Sequence, residues 1–327
     1  MTAAKMALGF TCSCAFLLSF SQTTGNTVDY FNQQPPRDSP TLFAPGIFSD
    51  GYSNRDFTIS PKGNEIYFTL QQQTLVSVIL YTVKQAGKWS TPQVAPFSGR
   101  YNDLEATFTA DGKQIFFSSN RPINESDTTD DYNIWTVNRA GDRWSGPVPL
   151  DSTVNTEKDE FYPSLARNGN LYFTTQLETG KGKEDIVVCK WENGKYQPPV
   201  SLPASINSAG YEFNAFVDPD EQFLIYTAYG RADDAGRGDL YISRRSNGEW
   251  QPATNLGKLV NSASIDYCPY VSPDHKYFFF TSSRATFRQP FEQPWNAARI
   301  RKGLASPGNG FDDIYWMRFD HILPSHQ

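Results

Sequence analysis

One sequence pattern recurs five times in this chain and constrains its fold more than any other feature. Each copy begins with an acidic or polar residue and a short apolar strand, then has a tight turn and a second apolar strand. The copies are RDFTISPKGNEIYFTL, LEATFTADGKQIFFSS, DEFYPSLARNGNLYFTT, YEFNAFVDPDEQFLIYTA and DYCPYVSPDHKYFFFTSS. Internal repetition of this kind predicts a fold built from equivalent, stacked units.

Each unit continues with two more predicted strands. A third strand follows a variable loop, as in VILYTV, NIWTVN, DIVVCK, DLYISR and DIYWMR, and a Gly-containing turn leads to a fourth segment. That segment contains Pro92, Pro147, Pro198 or Pro252, and proline suits an outer strand because its missing N–H interrupts no ladder hydrogen bond. Four antiparallel strands in about fifty residues predict an all-β fold, a β-propeller with four-stranded blades.

The number of blades follows from counting turns and outer strands. The turns between first and second strands fall at Gly63, Gly112, Gly169, Glu221 and His275, which indicates five units. Only four outer strands follow them along the chain. In the N-terminal segment SPTLFAPGIF, Pro40 lies 23 residues before the first turn, as Pro198 and Pro252 lie 23 residues before theirs and Pro147 lies 22 before its own. We therefore expect an N-terminal strand to complete the last blade and close the ring.

The repeats resemble the WD40-like repeats of TolB-type propellers, in which the pattern SPDG…IYFTSxR…DIY recurs. The resemblance covers about residues 40–320. It implies an exported protein that binds other proteins or envelope components and acts as a scaffold, and it does not identify the ligand. Because members of that family usually have six blades, six is the alternative to the five counted here.

The chain ends indicate how the protein is organised and where it resides. Lys5 and the apolar run MALGFTCSCAFLLSF predict a signal peptide over residues 1–21, too short to span a bilayer comfortably. Residues 22–39 then form a linker, residues 40–320 a single propeller domain and residues 321–327 a tail. We expect an exported, periplasmic or extracellular protein with no transmembrane segment in the mature chain.

The net charge limits the classes of partner to expect, and the cysteine positions indicate whether a disulfide forms. A net charge of -6 gives no electrostatic reason to expect nucleic acid as a partner. We expect a monomer that binds a protein or glycan ligand. Cys189 and Cys268 fall at different positions of different repeats, which predicts two buried thiols rather than a disulfide.

The acids that open the repeats are the candidate binding residues. If the first strand of each blade lines the central channel, these acids ring its mouth: Asp103 or Glu105, Glu160, Glu212 and Asp266. Asn54 and Asp56 hold these places in the first unit, which leaves the register open by two residues. Three of the acids have an asparagine five residues before them. These asparagines are Asn155, Asn207 and Asn261.

Two interpretations of this acidic ring stay open. The carboxylates can cap backbone N–H groups or join neighbouring blades, as repeated motifs often do. Alternatively, they form a polar mouth that binds a cation such as calcium, a sugar or a basic peptide. Apart from that calcium, we expect no cofactor.

Arginines and one long loop complete the candidate set. Three arginines follow second strands, namely Arg121, Arg231 and Arg284, and four aspartates precede third strands, namely Asp131, Asp185, Asp239 and Asp313. We expect them to pair across the loop between those strands. Because these loops also lie on the predicted binding face, the three arginines are candidate ligand-binding residues as well. The last such loop is the longest and carries Phe287, Arg288, Phe291, Trp295, Arg299, Arg301 and Lys302. Long loops in compact domains are often functional, so this loop, with Trp295, is the candidate for partner specificity.

Catalytic motifs are mostly absent from the sequence. Of its three histidines, His275 lies in a predicted turn and two lie near the C-terminus, which argues against His-based metal sites and Ser–His–Asp catalysis. One enzymatic alternative remains, because glycoside hydrolases on five-bladed propellers use two carboxylates at the channel mouth. Two acids in one deep pocket with exposed aromatics would favour that enzyme, whereas acids bonded symmetrically to neighbouring blades would favour the scaffold.

Overall fold

The computed structural model describes residues 30–73, 75–287 and 290–322. The predicted signal peptide, residues 22–29 of the predicted linker, Arg288 and the end of the predicted tail lie outside these ranges.

The strands form five antiparallel sheets arranged in a ring. The chain enters through β1 (Thr41–Leu42). The first blade contains β2 (Ser53–Ile59), β3 (Glu65–Gln72), β4 (Val76–Gln85), β5 (Lys88–Trp89) and β6 (Gln93–Val94). The second contains β7 (Asp103–Phe108), β8 (Gln114–Ser119), β9 (Asn133–Ala140), β10 (Arg143–Trp144) and β11 (Val148–Pro149). The third contains β12 (Phe161–Leu165), β13 (Leu171–Thr175), β14 (Asp185–Cys189), β15 (Trp191–Glu192), β16 (Lys195–Tyr196) and β17 (Val200–Ser201).

The last two blades follow the same plan. The fourth contains β18 (Tyr211–Val217), β19 (Phe223–Tyr229), β20 (Asp239–Ser246), β21 (Glu249–Trp250) and β22 (Thr254–Asn255). The fifth contains β23 (Asp266–Val271), β24 (Tyr277–Ser282) and β25 (Asp313–Arg318), with helix α1 (Ala297–Leu304) between β24 and β25 and a short 3-10 helix (Phe319–His321) at the end. Each first strand contacts the first strands of both neighbouring blades, so β2, β7, β12, β18 and β23 line a central channel.

The N-terminal strand closes the ring, as the sequence predicts. β1 pairs antiparallel with β25, and Thr41 lies opposite Trp316. The fold is therefore an all-β propeller with five four-stranded blades, and the fifth blade is made from both ends of the described chain. This pairing covers the outer edge of β25, which would otherwise be unpaired.

The predicted position of the prolines in the outer strands is wrong. Pro92, Pro147, Pro198 and Pro252 lie between two short paired segments. The aromatic residue before each proline belongs to a two-residue hairpin arm that extends the third strand or, in the third blade, follows it. The outer strand proper begins one or two residues after the proline. Proline thus terminates the hairpin and leaves the outer ladder intact.

The N-terminal segment also fills the core between the fifth and first blades. Phe43 is fully buried and lies with its ring centroid 5.3 Å from that of Phe57, 5.2 Å from Phe279 and 5.4 Å from Trp316. Aromatic pairs at these distances add to the free energy gained from burying apolar surface. Closure therefore depends on side-chain packing as much as on the two-residue ladder.

We predict that Phe43→Ala lowers the free energy of unfolding by about 3–5 kcal/mol, because it empties an aromatic site shared by two blades. The control Val200→Ala removes an apolar side chain that is 61% exposed on an outer strand. That change should stay within about 0.5 kcal/mol. Denaturant unfolding measures both, and equal small effects would contradict closure by the N-terminal segment.

Candidate functional site

Every first strand contains a bulge at the same place, and this bulge positions the candidate site. Pairing with the second strand shifts register once in each of β2, β7, β12, β18 and β23. The bulged residue has a left-handed backbone, which is uncommon outside glycine. These five residues, called the channel ring below, are Asp56, Glu105, Tyr162, Asn214 and Cys268, with φ between 50° and 63°.

Arg55 connects two carboxylates of the channel ring. Its Nε donates to Asp56 Oδ1 at 2.8 Å, and one terminal nitrogen donates to Glu105 Oε1 at 2.8 Å. The guanidinium also lies 4.9 Å from the ring centroid of Tyr267 and donates to Gln71. Only 12% of the Arg55 side chain is exposed, against 1% of Asp56 and 3% of Glu105. The result is a buried ion network that links the first two blades.

The other ring members complete this network. Glu105 Oε2 accepts a hydrogen bond of 2.6 Å from the backbone N–H of Tyr162. The Cys268 thiol donates to Asp56 Oδ1 and lies 3.1 Å from the Asn214 amide nitrogen. Burial raises the pKa of Glu105 to about 7 and raises the pKa of Cys268 well above its ordinary value. Near neutral pH, Glu105 can therefore gain or lose a proton.

A small cavity lies inside the channel next to this network. It has a volume of about 20 Å³ and is lined by Asp56, Thr58, Glu105 and Ser164 among others. Asp56 Oδ2 and Thr58 Oγ1 are buried without a hydrogen-bond partner among the described residues. A cavity of this size and polarity is large enough for about one water molecule.

A wider funnel opens at the start of the first strands. Its volume is about 430 Å³, and Arg55 and Glu105 lie at its base. Aromatic side chains form much of the wall, namely Tyr132, Phe161, Phe213 and Tyr267. Amides of Gln71, Asn102 and Asn120 and carboxylates of Asp130 and Glu184 add polar groups. The funnel has the size and mixed lining of a small-molecule site.

Four of the five predicted acids lie outside the channel ring and precede its members in the sequence. Asp103, Glu160, Glu212 and Asp266 each lie two residues before a ring member and are fully buried. Glu212 accepts hydrogen bonds from the backbone and side chain of Ser208, at 2.8 and 2.6 Å, and Asp266 accepts from the backbone of Ser262. They hold the loop that enters their own blade. Glu105 belongs to the ring itself, and ligand binding by the other four acids stays a prediction.

The predicted partners of the three arginines are wrong. Arg121 binds Asp103, Arg231 binds Glu212 at 2.9 Å and Arg284 binds Asp266 at 2.5 Å. Each also donates to a carbonyl oxygen of the loop entering the blade, at Phe97, Ile206 and Val260 respectively. The aspartates before the third strands instead accept from nearby N–H or amide groups, as Asp185 does from Gly182. These aspartates thus have donors other than an arginine, and one oxygen each of Asp131 and Asp313 is buried without a partner among the described residues.

The three predicted asparagines join consecutive blades. Asn155 exchanges hydrogen bonds with the backbone N–H and C=O of Ile134, at 2.9 and 3.1 Å. Asn207 does so with Ile186, and Asn261 with Leu240. Each amide thus extends the third strand of the preceding blade, which gives the asparagines a structural role. A ligand role for them stays a prediction.

Glu160 differs from the other buried acids because it lacks an arginine. Leu177 follows the second strand of its blade, where Arg121, Arg231 and Arg284 stand in three others. Among the described residues, the hydrogen-bond donors to Glu160 all belong to Thr156, at 2.6 Å from the hydroxyl and 3.2 Å from the backbone. Burial raises its pKa to about 8.

Trp295 lies in the long loop of the fifth blade, outside the funnel lining. Its ring stacks on Phe291 with centroids 4.4 Å apart and contacts Phe287. The structure therefore separates Trp295 from Arg55 and Glu105. Its predicted part in ligand binding stays a prediction.

Sequence reasoning did not identify most of the channel ring. It placed Glu105 and Asp56 only as alternatives in an uncertain register, and it did not select Arg55, Tyr162 or Asn214. A bulge leaves no residue pattern of its own when the bulged position is occupied by five different side chains. Cys189 and Cys268 are both free and buried, as predicted.

Within the described residues, neither a metal-binding group nor a membrane-spanning helix is found. Among them, no group of three or more His, Cys, Asp or Glu side chains is arranged to hold a metal ion, so calcium binding stays a prediction. No helix among them is long and apolar enough to cross a membrane.

No protein-family model matches the chain, and no curated protein matches its sequence. Among solved structures, it is similar to TolB from Acinetobacter baumannii, with 12% identity and a TM-score of 0.46 over 81% of this chain and 54% of that one. The chain thus spans about half of that protein. A putative TolB from Agrobacterium tumefaciens gives 14% identity and a TM-score of 0.47, over 82% of this chain and 91% of that one.

An α-L-arabinofuranosidase from Lactobacillus brevis is similar to the same degree. It shows 11% identity and a TM-score of 0.47, over 84% of this chain and 95% of that one. The chain is a five-bladed β-propeller with TolB among its structural neighbours. Membership of the TolB-type repeat family stays a prediction, and likenesses this weak assign neither ligand nor activity.

We predict that Glu160→Gln makes the stability less dependent on pH. The pKa of the Glu160 carboxyl is near 4.5 in the unfolded chain and about 8 in the folded protein. Between these pH values the folded state binds more protons than the unfolded state, so the stability of the wild type falls as pH rises. Relative to wild type, the variant should gain about 1 kcal/mol or more between pH 5 and pH 8, the equivalent of one pKa unit.

The matched control is Glu212→Gln, which loses a charge-assisted bond to Arg231 and should be destabilised at both pH values. Denaturant unfolding at each pH measures the differences. A pH profile that Glu160→Gln leaves unchanged would contradict the assignment of a protonated, arginine-free carboxyl.

Proposed function

We propose that this protein is an exported binding module whose funnel takes a glycan end or a similarly sized polar ligand. The supporting observation is the contrast between the channel ring and the buried acids that lie two residues before its members. Buried acids occupy the same position in four blades, three of them paired with an arginine, and they hold loops, as structural positions in repeat proteins do. The channel ring has five different side chains in five equivalent backbone positions, which repeat architecture alone does not require.

The funnel chemistry favours a sugar-like ligand. Flat aromatic side chains such as Phe213 and Tyr132 offer apolar faces, while Arg55 and Glu105 offer a donor and an acceptor held in place by their own bonds. Such a mixture of apolar walls with a few fixed polar groups orients ligands that have both kinds of surface. A sugar ring has an apolar face and hydroxyl groups at its edge.

The charges of the funnel favour neutral or cationic ligands over anions. Arg55 is balanced by Asp56 and Glu105, and Asp130 and Glu184 add negative charge above them. An anionic ligand would therefore meet net repulsion at the opening. A neutral glycan or an amine-bearing sugar would not.

The position of Asp56 argues against glycoside cleavage by the pair Asp56 and Glu105. Glycoside hydrolases of the common type need two carboxyl groups on either side of the scissile bond. Glu105 lines the funnel, but Asp56 lines only the inner cavity and is held by Arg55 and Cys268. Asp56 and Glu105 therefore do not form such a pair within the funnel, and a second catalytic carboxyl group would have to come from Asp130 or Glu184, which also line it.

We predict that Phe213→Ala weakens binding of neutral oligosaccharides at least tenfold, which is about 1.4 kcal/mol. Phe216→Ala is the matched control, since Phe216 lies on the same strand but lines the opposite end of the channel. Titration calorimetry with trimers of N-acetylglucosamine, arabinose and glucose measures the affinities. Equal losses in both variants would contradict a funnel site.

The same samples test the enzymatic alternative. Product analysis after long incubation with each trimer should show no cleavage by the wild type. Cleavage that is abolished by Glu105→Gln together with either Asp130→Asn or Glu184→Gln, each made as a single variant, would replace the binding function with glycoside hydrolysis.

A further inference from the structure

Helix α1 projects from the fifth blade without entering the core. None of its residues is buried. Its N-terminus is capped by Asn296, whose side-chain oxygen accepts a 2.9 Å hydrogen bond from the backbone N–H of Arg299. Trp295 lies against Gly303 and 5.3 Å from the Arg299 guanidinium, and the other residues of the helix are exposed and available to a partner.

The end of α1 is nevertheless fixed to the first blade. The Asn309 amide donates to the carbonyl oxygens of Gly51 and Leu304, both at 2.9 Å. Gly51 has φ of 94°, and a Cβ there would lie 2.6 Å from the carbonyl oxygen of Ala305. Only glycine allows this close approach. The helix is therefore held in a defined place.

This anchoring brings exposed apolar side chains together. Tyr52 follows Gly51 and is 67% exposed, while Leu304 is 54% exposed and Ile300 is 40% exposed. Phe311, two residues after Asn309, is 54% exposed. Exposed apolar residues that lie near one another often mark an interaction surface.

Helix α1 is basic although the whole chain is acidic, while Asp50 and Asp312 lie close to Tyr52 and Phe311 in the sequence. Arg299, Arg301 and Lys302 lie within the eight residues of α1, which has no acidic residue in its first turn. All three side chains are exposed, and the protein as a whole carries -6. We call the four apolar and three basic residues the α1 patch.

We propose that the α1 patch docks the protein onto an anionic lipid surface. Interfacial helices combine basic side chains that attract anionic headgroups with apolar side chains that enter the headgroup boundary. A protruding helix suits a lipid surface, which needs no complementary groove. The α1 patch offers both kinds of side chain. This inference does not depend on the proposed glycan function.

The test is co-sedimentation of the full chain with vesicles. The protein should bind vesicles of equal parts phosphatidylglycerol and phosphatidylcholine, and binding should fall as salt screens the charges. Pure phosphatidylcholine vesicles should bind at least tenfold less. Equal binding to both kinds of vesicle, or no binding to either, would overturn the proposal.

Two variants of equal charge assign the effect to the α1 patch. The combined Arg299→Gln, Arg301→Gln and Lys302→Gln variant should lose binding at least tenfold. The combined Lys62→Gln, Lys113→Gln and Lys276→Gln variant removes three exposed charges from the turns at the other end of the channel and should bind as wild type. Equal losses in the two variants would overturn the assignment.

Further measurements test whether a loss of vesicle binding comes from unfolding, and whether the partner is an acidic polymer instead of a lipid surface. Thermal melts of the two charge variants should agree with wild type, since none of the six side chains is buried. The combined Ile300→Ser and Leu304→Ser variant should also lose vesicle binding, because the apolar contact is then missing. Full binding by that variant, or binding to polyglutamate with none to vesicles, would show an acidic polymer as the partner and overturn the lipid proposal.

Discussion

The buried ion network around Arg55 is the interaction on which the centre of this propeller depends. Asp56 and Glu105 belong to neighbouring blades, and both point to the channel axis with almost no exposure to solvent. Two carboxylates in such a place would repel each other and would each lose hydration. Arg55 offsets both effects with one guanidinium, and it is itself held by Gln71 and Tyr267. The network therefore fixes the base of the funnel.

The five-fold repetition of the backbone supports a site that is not five-fold. Every first strand has the same bulge, which turns one side chain toward the axis. Because the backbone is specified by pairing within each blade, the bulged side chain is free to differ. In four blades an acid two residues earlier connects the first strand to its loop, so the proposed site is not needed to hold these loops.

Much of the fold could be predicted from the sequence, because strands and turns leave residue patterns. All five turn positions predicted from the sequence adopt a left-handed backbone, including Glu221 and His275. Closure by the N-terminal strand followed from counting outer strands. The misplaced prolines have a simple reason, since a two-residue strand carries too little pattern to separate it from the hairpin beside it.

The candidate site was less predictable, for physical reasons that particular residues show. Asp103 and Glu105 are two residues apart, and in a regular strand they would point to the same side. The bulge breaks that rule, so Asp103 binds Arg121 while Glu105 faces Arg55. The arginines were assigned to acids that follow them closely in the sequence, whereas their partners lie at the first strand of the same blade. Contacts between blades, such as that of Cys268 with Asp56, require the closed ring to be known.

The most direct test of the account is a double-mutant cycle between Arg55 and Glu105, read as free energies of unfolding. Arg55→Met alone leaves buried carboxylates without their cation and should cost about 3–5 kcal/mol. Adding Glu105→Gln removes one of those charges, so the double variant should be destabilised by at least about 1.5 kcal/mol less than the sum of the single variants. Effects that add within about 0.5 kcal/mol would contradict a network centred on Arg55.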